Sequence, residues 1–177
     1  MAKILLLFST TDGHTRTICE RLKQVVEEHG HCVTVCSVDG HSNVDLSTFD
    51  KIVIGASIRY GRHSKAILDF IGGHLSLLES VPNAFFSVNI VARKPEKSAP
   101  ETNPYMRKFL QRSAWRPRQL AVFAGRLDYP KYGFFDRFMI RLIMFITKGP
   151  TDPTLVFEFT DWGKVEAFGR LVGDEPL

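Results

Sequence analysis

Short apolar runs that alternate with helical patterns constrain the fold of this chain most strongly. Ile4–Phe8 and Ile52–Ile54 are uninterrupted apolar segments and Ala84–Val88 contains a single serine, which is typical of strands buried on both faces of a sheet. Between the first two runs, apolar residues recur at helical spacing from Thr15 to His29, and Gly30 ends the pattern. This alternation predicts an α/β fold, with a parallel sheet covered by helices on both faces and joined by right-handed crossovers.

The pattern extends over the whole chain and predicts a single domain, residues 1–177. A chain of 177 residues with 44% hydrophobic and 24% charged residues suits one globular core and excludes a disordered protein. Predicted strands cover residues 4–8, 32–38, 51–56, 84–88, 120–124 and 155–160, and predicted helices cover 15–29, 63–79, 105–112 and the residues that follow Asp161 as N-cap. Residues 128–154 do not fit the alternation, and we interpret them as an insertion that splits the last strand of the sheet.

The loop after the first strand has the composition of an anion site. In an open α/β sheet, ligands bind beyond the carboxyl ends of the strands, and this loop leads there directly into a helix. Short hydroxyl donors, backbone amides freed by a glycine and the positive end of a helix dipole together favour a phosphate. A plain turn with a helix cap is the alternative, and neither an ATP-binding P-loop nor a dinucleotide fingerprint is present. The predicted binding residues are Ser9, Thr10, Thr11, Asp12, Gly13, His14 and Thr15.

Two further loops end at the same predicted edge of the sheet. The loop after the third strand places an aromatic residue between glycines, and the loop after the fourth offers small and polar groups. Three such loops can hold a phosphate, a polar chain and a flat ring, with Tyr60 as the stacking partner of that ring. The residues predicted to bind here are Ala56, Ser57, Ile58, Arg59, Tyr60 and Gly61 in one loop, and Ser87, Val88, Asn89 and Arg93 in the other.

The first loop resembles that of the flavodoxin-like proteins. Thr10, Gly13 and Thr15 match the flavodoxin pattern Thr/Ser-x-Thr-Gly-x-Thr, while Asp12 stands where the pattern has its middle threonine. A carboxylate repels a phosphate, so we expect Asp12 to point outward, where it can cap the helix. The resemblance implies a doubly wound, five-stranded parallel sheet in the order 2-1-3-4-5, with FMN bound where the strand order reverses, as in flavodoxin itself.

Longer segments narrow the resemblance to the bacterial menaquinone-dependent protoporphyrinogen IX oxidases. The similarity runs nearly end to end and is most specific at residues 54–61, 87–97, 136–144 and 160–162. It implies an FMN enzyme of haem biosynthesis that removes six electrons from protoporphyrinogen IX, giving protoporphyrin IX, and passes them to menaquinone. The alternatives are an FMN-dependent NAD(P)H:quinone reductase and a flavodoxin-type electron carrier. The carrier is disfavoured because such proteins are usually acidic, whereas this chain has a pI near 9.1.

Positive charge is concentrated around the predicted insertion. Residues 93–148 hold 13 Lys and Arg against 4 Asp and Glu, although the whole chain has a net charge of only +4. Within residues 128–154, a broad apolar arc lies beside a narrow basic stripe of Arg137, Arg141 and Lys148. A helix of this kind is suited to an anionic membrane surface, with its cations toward the head groups. The alternative is that the arc packs in the protein core or in a dimer contact.

A second basic group has two candidate roles. It can bind the propionates of a tetrapyrrole, or it can extend the membrane-facing surface. We expect no nucleic acid partner, because the spacing of basic and aromatic residues in RNA-binding motifs is absent. The group comprises Arg93, Lys94, Lys97, Arg107, Lys108, Arg112, Arg116 and Arg118.

The remaining residue types predict neither a catalytic constellation nor a metal site. His29, His31, His41, His63 and His74 lack the spacing of metal ligands, and no residue is assigned a catalytic role. Three cysteines form an odd, sparse set that fits a reducing cytoplasm, and no apolar run reaches the roughly 18 residues that a membrane-spanning helix needs. We therefore expect a peripheral protein at the cytoplasmic face of the bacterial inner membrane. The sequence does not indicate an oligomeric state.

Overall fold

A parallel sheet forms the centre of the computed structural model, which describes residues 1–39 and 44–176. Its parallel strands are β1 (Lys3–Ser9), β2 (Cys32–Ser37), β3 (Lys51–Arg59), β5 (Asn83–Asn89) and β6 (Gln119–Ala124), and the short β4 (Arg62–His63) turns back antiparallel on β3. The parallel strands lie in the order β2-β1-β3-β5-β6. Counted over the parallel strands alone, this is the predicted order 2-1-3-4-5, which is confirmed.

Helices cover both faces of the sheet, as the alternation predicts. Within the described residues they are α1 (His14–Glu28), α2 (Lys65–Gly73), α3 (Leu75–Ser80), α4 (Pro104–Arg112), α5 (Phe134–Ile146) and α6 (Trp162–Asp174). Helices α1 and α6 pack on the face that carries Ile4 and Leu6, whereas α2, α3 and α4 pack on the face that carries Leu5 and Leu7. Successive residues of β1 thus point into two different cores, which explains its unbroken apolar run. None of the described helices is both long enough and apolar enough to cross a membrane.

The segment predicted as one helix over residues 63–79 consists of two helices. Helix α2 ends with Gly72 and Gly73, and His74 separates it from α3. Two adjacent glycines weaken a helix because they lose the most backbone entropy on folding. His74 closes α2, since its backbone N–H donates to the carbonyl of Phe70 at 3.1 Å.

The insertion leaves and rejoins the fold beside the end of β6, but it does not divide a strand of the central sheet. Strand β6 is continuous to Ala124, and the two ends of the insertion form a separate antiparallel ribbon of β7 (Arg126–Asp128) and β8 (Val156–Glu158). A chain that leaves and returns at one point runs in opposite directions there, so its ends pair with each other. The predicted strand 155–160 is correspondingly shortened to β8.

The middle of β3 is held by a close contact between backbone and ring. A Cβ built on Gly55 would lie 2.1 Å from Cζ of Phe86, the neighbouring residue in β5. Only a residue without a side chain allows the fully buried ring to lie there. This contact supports the strand immediately before the loop that begins at Ala56.

We expect Gly55→Ala to lower the free energy of unfolding by about 1–3 kcal/mol, because overpacking forces the Phe86 ring or the backbone to shift. Urea unfolding measures the change. Gly72→Ala is the matched control: nothing lies within 4 Å of its added methyl group, and it is expected to stabilise the protein by about 0.4–1 kcal/mol. Equal stability of Gly55→Ala and wild type would contradict the close contact.

Candidate functional site

A cleft opens at the carboxyl edge of the sheet, where β1, β3 and β5 end. Its empty space, counted out to the solvent at its mouth, is about 1050 Å³. One wall consists of the three predicted loops, and the insertion provides the opposite wall. The predicted residues that line the cleft are Thr10, Thr11, Asp12, His14, Thr15, Ser57, Ile58, Arg59, Tyr60, Gly61, Val88, Asn89 and Arg93. The three loops predicted from the sequence therefore line one cleft. That these residues bind a cofactor stays a prediction.

Four predicted residues lie behind this lining. Ala56 and Ser87 are completely buried in the sheet, so their side chains pack inside the protein. Ser9 and Gly13 belong to the first loop, where Ser9 is also buried. Gly13 borders a smaller polar cavity next to the cleft.

The first loop presents an open helix end to the cleft. Gly13 has a φ of +84°, which only glycine adopts freely, and its backbone N–H donates to Oγ1 of Thr10 at 3.0 Å. Helix α1 begins at the next residue, and no side chain caps its first turn. Asp12 therefore does not act as the expected cap. The free N–H groups at the positive end of α1 are available to an anionic ligand.

Two hydroxyl groups of this loop are buried without a hydrogen-bond partner. They are Oγ of Ser9, a residue with 7% exposure, and Oγ1 of Thr15, a residue with 1% exposure. A buried polar group without a partner costs stability, so such groups point to a ligand that satisfies them. Two hydroxyl donors beside an uncapped helix N-terminus fit the oxygens of a phosphate group.

His14 is tied to the protein at one of its two ring nitrogens. Oγ1 of Thr160 donates to the carbonyl of Ala124 at 2.8 Å and must therefore accept from Nε2 of His14, which lies at 2.6 Å. Burial lowers the pKa of His14, although Glu158 opposes the shift. Nε2 of His14 therefore carries a proton, and only Nδ1 is left for a ligand in the cleft.

Tyr60 presents its ring at the rim of the cleft. Its φ is +48°, in the left-handed region that is unfavourable for residues with a Cβ. The residue is 56% exposed, and its hydroxyl donates to the carboxylate of Asp136 in α5. The position of Tyr60 agrees with its predicted role beside a flat ring, and the hydrogen bond to the insertion was not predicted.

Arg59 connects the loops of the cleft with the insertion. Its Nη1 lies 3.3 Å from Oδ2 of Asp12, and its Nη2 donates to Asp136. The guanidinium carbon lies 5.2 Å from the ring centroid of Tyr60 and 5.7 Å from that of Tyr132 in the insertion. Asp12 thus points toward Arg59, and burial raises its pKa while Arg59 opposes that shift.

Arg93 holds the other end of the insertion. Its Nη1 donates to the carbonyl of Ile90 at 3.1 Å, and its Nη2 donates to the carbonyl and Oγ1 of Thr147, both at 3.1 Å. Burial lowers the pKa of Arg93. The side chain lines the cleft, as predicted, and its donors also fix the last turn of α5.

A buried polar network lies under the third loop and includes a residue that sequence reasoning missed. Nε2 of His63 lies 3.0 Å from Oγ of Ser87, which also accepts from Nδ2 of Asn89 at 3.3 Å. Asn89 accepts from Nδ2 of Asn103 at 3.0 Å and from the N–H of Ala92 at 3.1 Å. Burial lowers the pKa of His63 to about 4. The network links β4, β5 and α4 behind the cleft.

The opposite wall of the cleft is largely apolar and was also missed. The residues that form it are Leu127, Tyr132, Ile140, Ile143 and Met144. Four of these belong to the insertion, where ten apolar side chains in α5 form an arc too broad for one contact. The width of that arc indicates that α5 presents apolar side chains to two different surfaces.

Two cations of the basic stripe of α5 bind backbone carbonyls within the insertion. Nε of Arg137 donates to the carbonyl of Tyr129 at 3.2 Å, and Nε of Arg141 donates to that of Thr151 at 2.9 Å. These cations hold the flanks of the insertion against its helix. That the stripe also faces membrane head groups stays a prediction, since Arg141 and Lys148 remain exposed.

The second basic group does not form one surface. The backbone N–H of Arg118 donates to Oδ1 of Asn83, the first residue of β5, at 3.0 Å. Arg118 and the neighbouring Arg116 therefore lie at the amino edge of the sheet, opposite the cleft. Arg93 lines the cleft itself, and Lys94 follows it directly.

Within residues 1–39 and 44–176, no three His, Cys, Asp or Glu side chains are grouped so that they could hold a metal ion. His41, one of the histidines considered above, lies outside the described residues. The chemistry of the cleft is accordingly best sought in its hydroxyl, aromatic and cationic lining.

The chain belongs to the flavodoxin domain family, which matches residues 5–154. Among solved structures, it is similar in fold to flavodoxin 1 from Bacillus cereus, with a TM-score of 0.52 at 15% identity, covering 99% of this chain and 100% of the other. An archaeal flavodoxin gives a TM-score of 0.51 at 14% identity, covering 97% and 96% of the two chains.

Two relatives narrow the assignment within this fold. The chain is 48% identical over 170 residues to the quinone-type protoporphyrinogen IX dehydrogenase of Escherichia coli (strain K12), covering 96% of this chain and 94% of the relative. It is 48% identical over 177 residues to the enzyme of the same name from Leishmania major, covering 99% and 76%. The chain therefore belongs to the family of quinone-type protoporphyrinogen IX dehydrogenases, which confirms the resemblance found in the sequence.

Proposed function

We propose that this protein binds FMN and oxidises protoporphyrinogen IX to protoporphyrin IX, passing six electrons to menaquinone in haem biosynthesis. Its family is one of oxidoreductases, and the flavodoxin domain implies a flavin. The observation that carries the proposal is the pair of buried, unpartnered hydroxyls of Ser9 and Thr15 at the uncapped start of α1. With a phosphate held at that point, Tyr60 and the apolar wall are the residues that would contact the attached ring.

The chain's own residues bind, orient and exclude water in this reaction. FMN, when bound, supplies the hydride acceptor, and three rounds of two-electron transfer account for the six electrons. Ser9, Thr15 and the first N–H groups of α1 would hold its phosphate, and Tyr60 would contact its ring. The apolar wall keeps water from the reacting carbon. The propionates of the porphyrinogen would fall to cations of the second basic group, of which Arg93 lines the cleft.

We further propose that the outer face of α5 lies in an anionic membrane, which places the protein at the cytoplasmic face of the bacterial inner membrane. Phe134 is 91% exposed, Phe145 76% and Ile146 69%, a larger apolar surface than an isolated protein ordinarily leaves in water. Exposed Lys131 and Lys148 border this face and complement anionic lipids. The inner face of the same helix lines the cleft, so a quinone in the lipid would reach it over a short path.

Anaerobic turnover tests the proposed function. Purified protein loaded with FMN is mixed with protoporphyrinogen IX and a menaquinone analogue, and porphyrin fluorescence is followed. We expect fluorescence to rise only when the quinone is present, with three quinones reduced for each porphyrin formed. Bleaching of the flavin by NADPH, without oxidation of the porphyrinogen, would instead support an NAD(P)H:quinone reductase. Protein that stays colourless with excess FMN would contradict the cofactor assignment.

Thr15→Val is expected to weaken FMN binding about 10- to 100-fold, since a hydrogen bond to a charged group contributes about 1.5–3 kcal/mol. Without FMN, the substitution removes a buried hydroxyl that has no partner, so the thermal midpoint of the apoprotein should stay the same or rise. Flavin fluorescence titration and thermal unfolding measure the two effects. Thr17→Val is the control, because that hydroxyl contacts the carbonyl of Gly13 at 3.4 Å and should leave FMN affinity unchanged. Loss of apoprotein stability without loss of FMN affinity in Thr15→Val would contradict the assignment.

A further inference from the structure

We propose that Asp136, in the insertion, is a positioning residue for the ring-binding end of the cleft. It fixes the Tyr60 side chain and counters the positive charge of Arg59. The insertion therefore completes the cofactor site, in addition to its proposed contact with a membrane surface. This inference rests on the proposed function, because it concerns the same FMN site.

Asp136 lies on the side of α5 that faces the cleft. It is the one acidic residue of that helix, and it precedes Ile140 and Met144 by one and two helical turns. Both of those residues line the cleft. The spacing places the Asp136 carboxylate at the rim, on the same helical face as the apolar wall, while the exposed phenylalanines lie on the other side.

Two donors from one loop converge on this carboxylate. It accepts from the hydroxyl of Tyr60 and from Nη2 of Arg59, residues more than seventy positions earlier in the chain. The hydrogen bond to Asp136 raises the pKa of the Tyr60 hydroxyl. Tyr60 has a strained left-handed backbone and an exposed ring, so this bond restrains a side chain that would otherwise rotate freely.

The same carboxylate changes the electrostatics of the site. The Arg59 guanidinium lies between Asp12, at 3.3 Å, and Asp136, and both ion pairs are partly buried. While both carboxylates are ionised, the three groups together carry a net charge of −1. Without Asp136, the field near the ring becomes more positive, which favours the acceptance of electrons.

A merely structural ion pair predicts a different outcome. An ion pair near the surface contributes little to stability, and its loss would leave a bound flavin unaltered. A positioning role predicts changes in FMN affinity, in the visible circular dichroism of the flavin and in its reduction potential. These readouts report the surroundings of the ring, and they do not require turnover.

The test is Asp136→Asn in the FMN-loaded full chain, compared with Asp152→Asn. Asp152 also lies in the insertion, but its carboxylate binds only the N–H and hydroxyl of Thr154 among the described contacts, at 2.9 and 2.7 Å. For Asp136→Asn we expect the FMN dissociation constant to rise about tenfold, the flavin circular dichroism to change and the reduction potential to become more positive. Asp152→Asn should match wild type in all three.

Tyr60→Phe separates the two routes through which Asp136 acts. In that background, Asp136→Asn should cost less FMN affinity than it does in wild type, while the change in potential should persist because Arg59 is retained. An Asp136→Asn protein with altered thermal stability but wild-type affinity, spectrum and potential would overturn the inference and leave the proposed function intact. Failure of wild type to bind FMN would overturn both.

Discussion

Replacing Phe138 and Phe145 with glutamate is expected to reduce binding to anionic vesicles at least about 100-fold, because each buried phenylalanine contributes about 1.5–3 kcal/mol. Both side chains are exposed on the outer face of α5, on the same side of the helix. Glutamate also adds a negative charge next to an anionic surface, which opposes binding further. The fold should be unaffected, since neither ring belongs to a core cluster of the described residues.

Sedimentation with phosphatidylglycerol-containing vesicles measures this loss, at low and at high salt. The matched control replaces Leu68 and Leu171 with glutamate as well. Both are exposed leucines, in α2 and α6, and this variant should pellet like wild type. Met144 is not a suitable position, because it is only 2% exposed and packs with Leu127 and Tyr129. Equal pelleting of the phenylalanine variant and wild type would contradict the membrane contact. A change in sedimentation coefficient without vesicles would identify the face as a contact between copies of the chain.

The sheet and its cleft could be predicted because burial on both faces leaves a clear mark in the sequence. Ile4–Phe8 has no polar residue, since each of its side chains enters one of two cores. Parallel strands also bring their carboxyl ends to one edge, so loops as distant as Thr10–Thr15 and Ser57–Gly61 are placed together by topology alone. The composition of these loops then indicated an anion at one end and a ring at the other.

The orientation of the insertion could not be predicted in the same way. Helical periodicity gives the width of an apolar arc and the position of a basic stripe, but it does not give the side that faces the protein. That choice depends on Asp136 meeting Arg59, which lies 77 positions earlier in the chain. A contact over such a separation has no local pattern, and its donor and acceptor are common on any surface.

His63 illustrates a second kind of residue that sequence alone does not identify. It lies in β4, a strand of two residues that follows a tight turn, and such a strand has no measurable periodicity. Its burial arises from Phe85 and Phe109, whose ring centroids lie 5.5 and 5.7 Å from the imidazole. The sequence could show only that this histidine lacks metal-ligand spacing.

The buried imidazole of His63 is expected to make the protein less stable as the pH falls from about 6.5 to about 4. Burial lowers its pKa from 6.5 to about 4 in the folded protein. Between these values, the unfolded chain takes up a proton that the folded protein does not, so acidification favours unfolding. The full difference amounts to at most about 3.5 kcal/mol, from about 1.4 kcal/mol for each pH unit. Below about pH 4 this group should cause no further loss.

Urea unfolding at pH 7, 6, 5 and 4 measures this dependence, with His63→Gln as the comparison. Glutamine can still hydrogen-bond to Ser87 but does not take up the proton, so the variant should lose up to about 3.5 kcal/mol less than wild type over this range. Taking the difference at each pH cancels the other groups, including His14, whose pKa burial also lowers. Parallel curves for the two proteins would contradict a neutral, buried His63.

Protonation of His63 should disturb the third loop before the sheet unfolds, because Ser87 also accepts from Asn89 in the cleft wall. FMN release at pH 4–5 should therefore precede the loss of secondary structure.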